Sequence, residues 1–176
     1  MADTNTKYDI VVFGASGYTG RLVAEYLQGE YANTGLKWAM AGRSLDKLAS
    51  VRTALGIPDS VDLVSVDSDD AASVGQMVSD CKVVITTVGP YQLYGEELIK
   101  QCAEQGTDYV DLSGEPSWMH ETIAQHSAAA KASGARIVHS CGFDSIPFDL
   151  GVYCLQQRAI TQTGKPIATV KGRVRA

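Results

Sequence analysis

The sequence predicts an α/β fold, a doubly wound parallel sheet with helices on both faces. Three observations carry the prediction. An apolar run, Ile10-Val11-Val12-Phe13, feeds directly into the glycine-rich segment Gly14-Ala15-Ser16-Gly17-Tyr18-Thr19-Gly20. Apolar, β-branched runs then alternate with helical patterns along the chain. The segments after the fourth, fifth and sixth runs are rich in glycine and proline. Such an alternation is a Rossmann-type sheet, in which ligands bind beyond the carboxyl ends of the strands.

Each element has its own justification. The first helix follows the glycines, with Leu22 and Tyr26, and Val23 and Leu27, at i,i+4 spacing for a sheet-facing side, and Gly29 as its stop. Lys37 to Ala41 is the second strand. Ser44 can cap a helix from Leu45 to Leu55, which Gly56 and Pro58 end. Val61 to Val66 is the third strand, and Asp67 to Asp70 lead into a helix with Val74, Met77 and Val78 inward. Val83 to Val88 is apolar enough for a central parallel strand. Gly95 to Gln105 is a helix with Leu98, Ile99 and Cys102 on one face, stopped by Gly106. Tyr109 to Leu112, a helix from Ser117 to Ser133 stopped by Gly134, and Arg136 to His139 complete six strands. A further helix runs from Pro147 to about Gln157. Residues 167–176 alternate apolar and polar like a half-buried strand, cut off midway. Residues 1–147 are therefore expected to form the Rossmann domain, and residues 148–176 the start of a second α/β domain that is mostly missing.

Composition narrows the function. The chain has 176 residues, 45% hydrophobic and 20% charged, with a net charge of −5 and a pI of about 5.1. The acidic balance, with no basic run, disfavours nucleic acid. Met1 to Lys7 is short and polar, unlike a signal peptide, and no run approaches the ~20 apolar residues of a membrane span. Cys81, Cys102, Cys141 and Cys154 form no C-x-x-C pair and read as reduced thiols of a cytoplasmic protein. His120, His126 and His139 make no ligand set with them, so no metal is expected.

The glycine segment carries the chemistry. Glycines allow a tight turn and a close approach of backbone to a dinucleotide pyrophosphate, while the helix N-terminus offers free N–H groups and partial positive charge. The spacing is G-x-x-G-x-x-G, which many NADP-linked oxidoreductases use. An NAD site usually places an acid at the tip of the second strand. Here that tip reads Gly42-Arg43-Ser44. An arginine there can stack on adenine and grip a 2′-phosphate with its planar fork, so NADP(H) is the expected cofactor. The expected cofactor-binding set comprises Gly14, Ser16, Gly17, Tyr18, Thr19, Gly20, Arg43, Ser44 and Asp67. Val88, Gly89, Pro90 and Tyr91 join it from the fourth-strand loop, beside the nicotinamide ribose and pyrophosphate. Cys141, Gly142 and Phe143 join it from the sixth-strand loop, near the nicotinamide ring. Tyr91, Tyr94, Cys141 and Asp144 are the candidate proton donors, none of them singled out.

The segments Tyr8 to Gly20, Ala41 to Ser44, Thr86 to Tyr91, Gly106 to Glu115 and His139 to Pro147 resemble the saccharopine-dehydrogenase-like oxidoreductases, in particular the mycobacterial trans-acting enoyl reductase branch. The resemblance spans about Tyr8 to Tyr153. It implies an N-terminal NADP-binding domain, a C-terminal α/β substrate domain and hydride transfer. In the enoyl branch the acceptor is a carbon–carbon double bond of a lipid or polyketide intermediate. The expected partners are a small, lipid-like substrate and a second copy of the chain, paired through the C-terminal domain. Some members of the wider family are associated with membranes or lipid droplets, so peripheral membrane contact is expected beside a cytoplasmic location. This piece alone is expected to be inactive.

Two other enzyme classes can be set against the residues. Short-chain dehydrogenases need Tyr-x-x-x-Lys, and Tyr91, Tyr94 and Tyr153 are followed four positions on by Gly95, Leu98 and Gln157. Acyl-phosphate-type semialdehyde dehydrogenases use a cysteine thiolate, for which Cys141 would serve, but its loop lacks thiol-activating neighbours other than His139. A non-catalytic, NADP-binding redox sensor shares the whole cofactor site and stays open.

Overall fold

The computed structural model describes residues 6–174. Six strands, β1 (Tyr8–Phe13), β2 (Trp38–Gly42), β3 (Asp62–Ser65), β4 (Cys81–Thr86), β5 (Asp108–Val110) and β6 (Ile137–Val138), form one sheet in the order β3-β2-β1-β4-β5-β6. All neighbours are parallel. The order reverses between β1 and β4, which opens a crevice at their carboxyl ends.

Burial explains why β1 is the centre. Val11 and Val12 are both 0% exposed and belong to clusters on opposite faces. Val11 packs with residues of α3 (Ala71–Ser79), α5 (Glu96–Gln105) and α6 (Pro116–Ser133), including Val74, Met77, Leu98, Ile99 and Trp118. Val12 packs under α1 (Tyr18–Tyr31) and α2 (Leu45–Ala54), with Ala24, Leu27, Leu48 and Val51. Only half of that second face is covered. Ile85, Val110 and Val138 continue the Val12 row across β4, β5 and β6, and they are half-buried or exposed.

Capping follows the sequence. Ser44 Oγ accepts from Lys47 N at 3.3 Å and Asp70 Oδ1 from Ala72 N at 3.0 Å, each worth about 1 kcal/mol. Gly106 and Gly134 close α5 and α6.

Four expectations need correction. Leu22 and Tyr26 face solvent, and α1 buries Gly20, Ala24 and Leu27 instead. The smaller side chains let the helix lie close on the sheet. Gly29 does not stop α1, which runs to Tyr31, because an exposed helical glycine costs only about 1 kcal/mol. The segment after β4 holds a short helix, α4 (Tyr91–Tyr94). The strand expected over 167–176 does not form among the described residues: 167–174 join no ladder, and the backbone N–H and carbonyl of Ile167 are taken instead by the Gln156 side chain, at 2.9 Å each. Residues 175 and 176 lie outside the described residues. The helix before it, α7 (Ile146–Thr163), runs past Gln157 and buries none of its side chains.

Two substitutions test the packing of α1. A Cβ on Gly29 meets nothing within 4 Å, so Gly29→Ala should stabilise the protein by about 0.5–1 kcal/mol in urea unfolding. A Cβ on Gly20 would sit 2.2 Å from the Gly14 carbonyl oxygen, so Gly20→Ala should cost about 2 kcal/mol or more.

Candidate functional site

The site begins where β1 ends. Gly14 and Ala15 donate their N–H groups to the Ala41 carbonyl at 2.9 and 3.2 Å, and Gly17 N donates to Gly14 O at 2.9 Å. Gly14 has φ +89°, a conformation that suits glycine, and a Cβ there would lie 2.7 Å from Thr87 Oγ1. Thr87 closes the other side, with its N–H to Phe13 O at 2.9 Å and its hydroxyl on the Phe13 and Gly14 carbonyls. Gly17 then opens α1 with no side-chain cap and no acid in the first turn. The first amides of α1 are therefore left for an external acceptor.

This turn floors a cleft of about 230 Å³ lined by Phe13, Gly14, Ser16, Gly17, Gly42, Arg43, Ser68, Thr87, Val88, Gly89 and Tyr94. Arg43 is the single charged residue in that lining, and its side chain has no ion pair among the described residues. A second cavity of about 490 Å³ adjoins it at Thr87. Thr19, Val23, Ile85, Val110, Leu112 and Phe143 give it apolar walls, and Asp111, Cys141 and Asp144 also border it.

A buried carboxylate organises the rim of that cavity. Asp111 Oδ1 accepts from the N–H groups of Ser113 (2.9 Å) and Ser140 (2.8 Å). Its Oδ2 accepts from the Tyr109 hydroxyl (2.8 Å) and pairs with His139 Nδ1 (2.7 Å). Burial pushes the Asp111 carboxyl up, but His139, the two amides and Tyr109 outweigh it and hold the group below the usual carboxylate range.

The structure gathers Gly14, Ser16, Gly17, Arg43, Val88 and Gly89 around the cleft, and Thr19, Cys141, Gly142, Phe143 and Asp144 around the second cavity. It places the others elsewhere. Tyr18 is 84% exposed and lines neither space. Gly20 is buried beneath the turn, and the Ser44 hydroxyl is spent capping α2. Asp67 folds its carboxylate onto Asp69 N at 3.2 Å, and its neighbour Ser68 lines the cleft instead. Pro90 borders neither space.

Tyr91 is buried, its hydroxyl donating to Thr86 O and accepting from Leu112 N. Burial pushes that phenol up to about 12. It is a core residue rather than an open proton donor. The Cys141 thiol is raised by burial and by the nearby Asp111 charge, the opposite of an activated nucleophile. Tyr94 lines the cleft. Sequence reasoning missed Thr87, Ser68 and the Asp111–His139 pair. Thr87 directly precedes the chosen loop, so strand register could have found it. Nothing in sequence spacing announces the pair, which joins residues 28 apart.

The saccharopine dehydrogenase NADP-binding domain family matches residues 10–138. The chain belongs to this family. Its cofactor is accordingly NADP(H), and the domain's own residues fit it: a glycine cradle, an uncapped helix N-terminus and Arg43 unopposed by any acid in the lining.

The domain is 43% identical over 162 residues to a trans-acting enoyl reductase of Mycobacterium leprae, matching 91% of this chain and 38% of the relative. It is also 43% identical over 158 residues to a lipid droplet localized protein of Caenorhabditis elegans, matching 86% and 37%. The chain spans about two fifths of the length of such curated relatives. Among solved structures, apo saccharopine dehydrogenase (L-Glu forming) of Saccharomyces cerevisiae superposes with a TM-score of 0.64 at 20% identity, over 89% of this chain and 32% of that one. This last likeness speaks for the fold.

The depressed Asp111 carboxyl sets a pH dependence. Its stabilisation is complete above the ordinary carboxyl value of about 4 and is lost as pH falls below it. Urea unfolding across about pH 7 to 3 should show stability falling at the acid end, with a shallower fall in Asp111→Asn.

Proposed function

We propose that the whole protein is an NADPH-dependent oxidoreductase that reduces a small, lipid-like enoyl substrate, and that residues 1–147 are its cofactor domain. The observation that carries the reading is Arg43 at the tip of β2, facing a cleft that holds no acid beside an uncapped helix N-terminus. A ribose 2′-phosphate and a pyrophosphate are the two anions this arrangement suits. Gly14, Ser16 and Gly17 would approach the pyrophosphate, Arg43 the 2′-phosphate, and Val88 and Gly89 the nicotinamide ribose. When bound, NADPH supplies the hydride.

The second cavity adjoins the cleft through Thr87, and its apolar walls suit a nicotinamide face with an apolar acceptor laid against it. Water exclusion there falls to Val23, Ile85, Val110, Leu112 and Phe143. The names of the relatives, an enoyl reductase and a lipid droplet protein, support the enoyl and lipid elements of the reading.

Residues 148–176 belong, in this reading, to a second domain that supplies the rest of the substrate site and a homodimer contact. The exposed Leu150, Tyr153 and Leu155 of α7 and the incompletely covered Ile85–Val110–Val138 row support it. No helix among the described residues is long and apolar enough to cross a membrane. In the same reading the protein is cytoplasmic and meets a lipid surface peripherally, which the name of the lipid droplet relative supports.

Calorimetric titration tests the cofactor half. Arg43→Ala should weaken NADPH by about tenfold or more while leaving NADH within about threefold; equal losses would remove Arg43 as the phosphate reader. Gly17→Val should abolish binding of both. Consumption of NADPH by the full-length protein with an α,β-unsaturated acyl thioester tests the reaction, and tight binding without turnover would favour a redox sensor.

A further inference from the structure

The loop after β5 touches both neighbouring rim loops through two carboxylates four residues apart. On one side, Asp111 Oδ1 bridges its own loop and the β6 loop, accepting from Ser113 N and Ser140 N. Ser140 Oγ adds a bond to Ser113 O at 2.8 Å, and Cys141 N one to Asp111 O at 2.6 Å. Ser140 has φ +59°, uncommon for a residue with a side chain. On the other side, Glu115 spans the start of α4, with Oε1 accepting from Tyr91 N at 2.8 Å and Oε2 from Gln92 N at 2.9 Å. The loop held by Glu115 contributes Thr87, Val88, Gly89 and Tyr94 to the cofactor cleft. The loop held by Asp111 contributes Cys141, Gly142, Phe143 and Asp144 to the second cavity.

We propose that Asp111 and Glu115 are positioning residues, a two-carboxylate clamp in which Glu115 sets the cofactor-cleft loop and Asp111 sets the loop that faces the nicotinamide ring. The proposal rests on the NADPH reading of the two spaces. Neither carboxylate needs to touch the ligand. Asp111 has its side chain fully buried, with four donors on two oxygens, and Glu115 has both oxygens engaged by main-chain amides. Charge-assisted bonds to main-chain amides fix loop position more firmly than neutral ones, and small misplacements near a reacting centre carry large rate costs. The geometry therefore separates two functions, affinity at one end of the cofactor and ring placement at the other.

The test uses NADPH as the probe, with affinity from calorimetry and ring environment from the nicotinamide fluorescence of the saturated complex. Glu115→Ala should weaken NADPH by about tenfold while the fluorescence at saturation stays that of wild type. Glu115→Gln, which keeps one amide oxygen as acceptor, should recover most of that loss. Asp111→Ala, which removes both acceptor oxygens, should leave affinity within about threefold of wild type but lower the fluorescence enhancement by about half or more. Asp111→Asn, whose remaining oxygen can still accept from Ser113 N and Ser140 N, should recover most of that loss.

If Asp111→Ala does not fold, Tyr109→Phe takes its place. It deletes one of the four donors on the Asp111 carboxylate and keeps the buried ring, so a loss of enhancement in the same direction is expected. Alanine variants that match wild type in both readouts, or in which affinity and fluorescence fall together, overturn the clamp. Wild-type protein that binds no NADPH overturns the cofactor reading itself. Amide exchange then judges the clamp separately: Glu115→Ala should speed exchange at Tyr91 and Gln92 and leave Ser140 protected, and uniform acceleration would refute it.

Discussion

The glycine turn between β1 and α1 is held on both sides, and the rest of the site depends on that grip. From one side the Ala41 carbonyl takes the N–H groups of Gly14 and Ala15, and from the other Thr87 reaches the Phe13 and Gly14 carbonyls. These bonds tie β2, β1 and β4 together at the point where the strand order reverses. The turn is so tight that a Cβ on Gly14 or Gly20 would collide with neighbouring atoms. Gly17 differs: a Cβ there would meet only its own turn's carbonyl, at 3.3 Å. Two of the three glycines thus serve packing, and the third leaves room in the cleft.

The other half of the rim is built by charge rather than by glycine. Taking the Asp111 carboxylate out of water is costly, and an unpaired buried charge would not persist. Four donors, two of them main-chain amides, offset that cost and in doing so join β5 and β6 beyond their short ladder. The sheet supplies only two residue pairs between these strands, so the carboxylate takes over where backbone pairing stops. Glu115 extends the same logic to the β4 side.

Much of the architecture was legible because it rests on local pattern. The apolar runs gave all six strands, and Ser44, Asp70, Gly106 and Gly134 marked helix ends through chemistry that acts within four residues. Errors arose where tertiary context decides. The i,i+4 pair Leu22–Tyr26 is as apolar as a buried face, yet close packing of α1 on β1 selects the smaller row Gly20–Ala24–Leu27. The run 167–174 alternates like a strand but has no ladder partner among the described residues. At the site, the glycine turn and Arg43 were readable from spacing. The burial of Tyr91 and the partnership of Asp111 with His139 depend on contacts between separate strand ends, which no single-sequence period encodes.

Crystals of the protein grown with NADP⁺ would show where the dinucleotide sits. The expected arrangement has the pyrophosphate over Gly17 at the N-terminus of α1 and the 2′-phosphate against the Arg43 guanidinium, with the nicotinamide reaching past Thr87 into the second cavity. A dinucleotide seated away from the Gly14–Gly17 turn, or one whose 2′-phosphate points to solvent without Arg43, would contradict it.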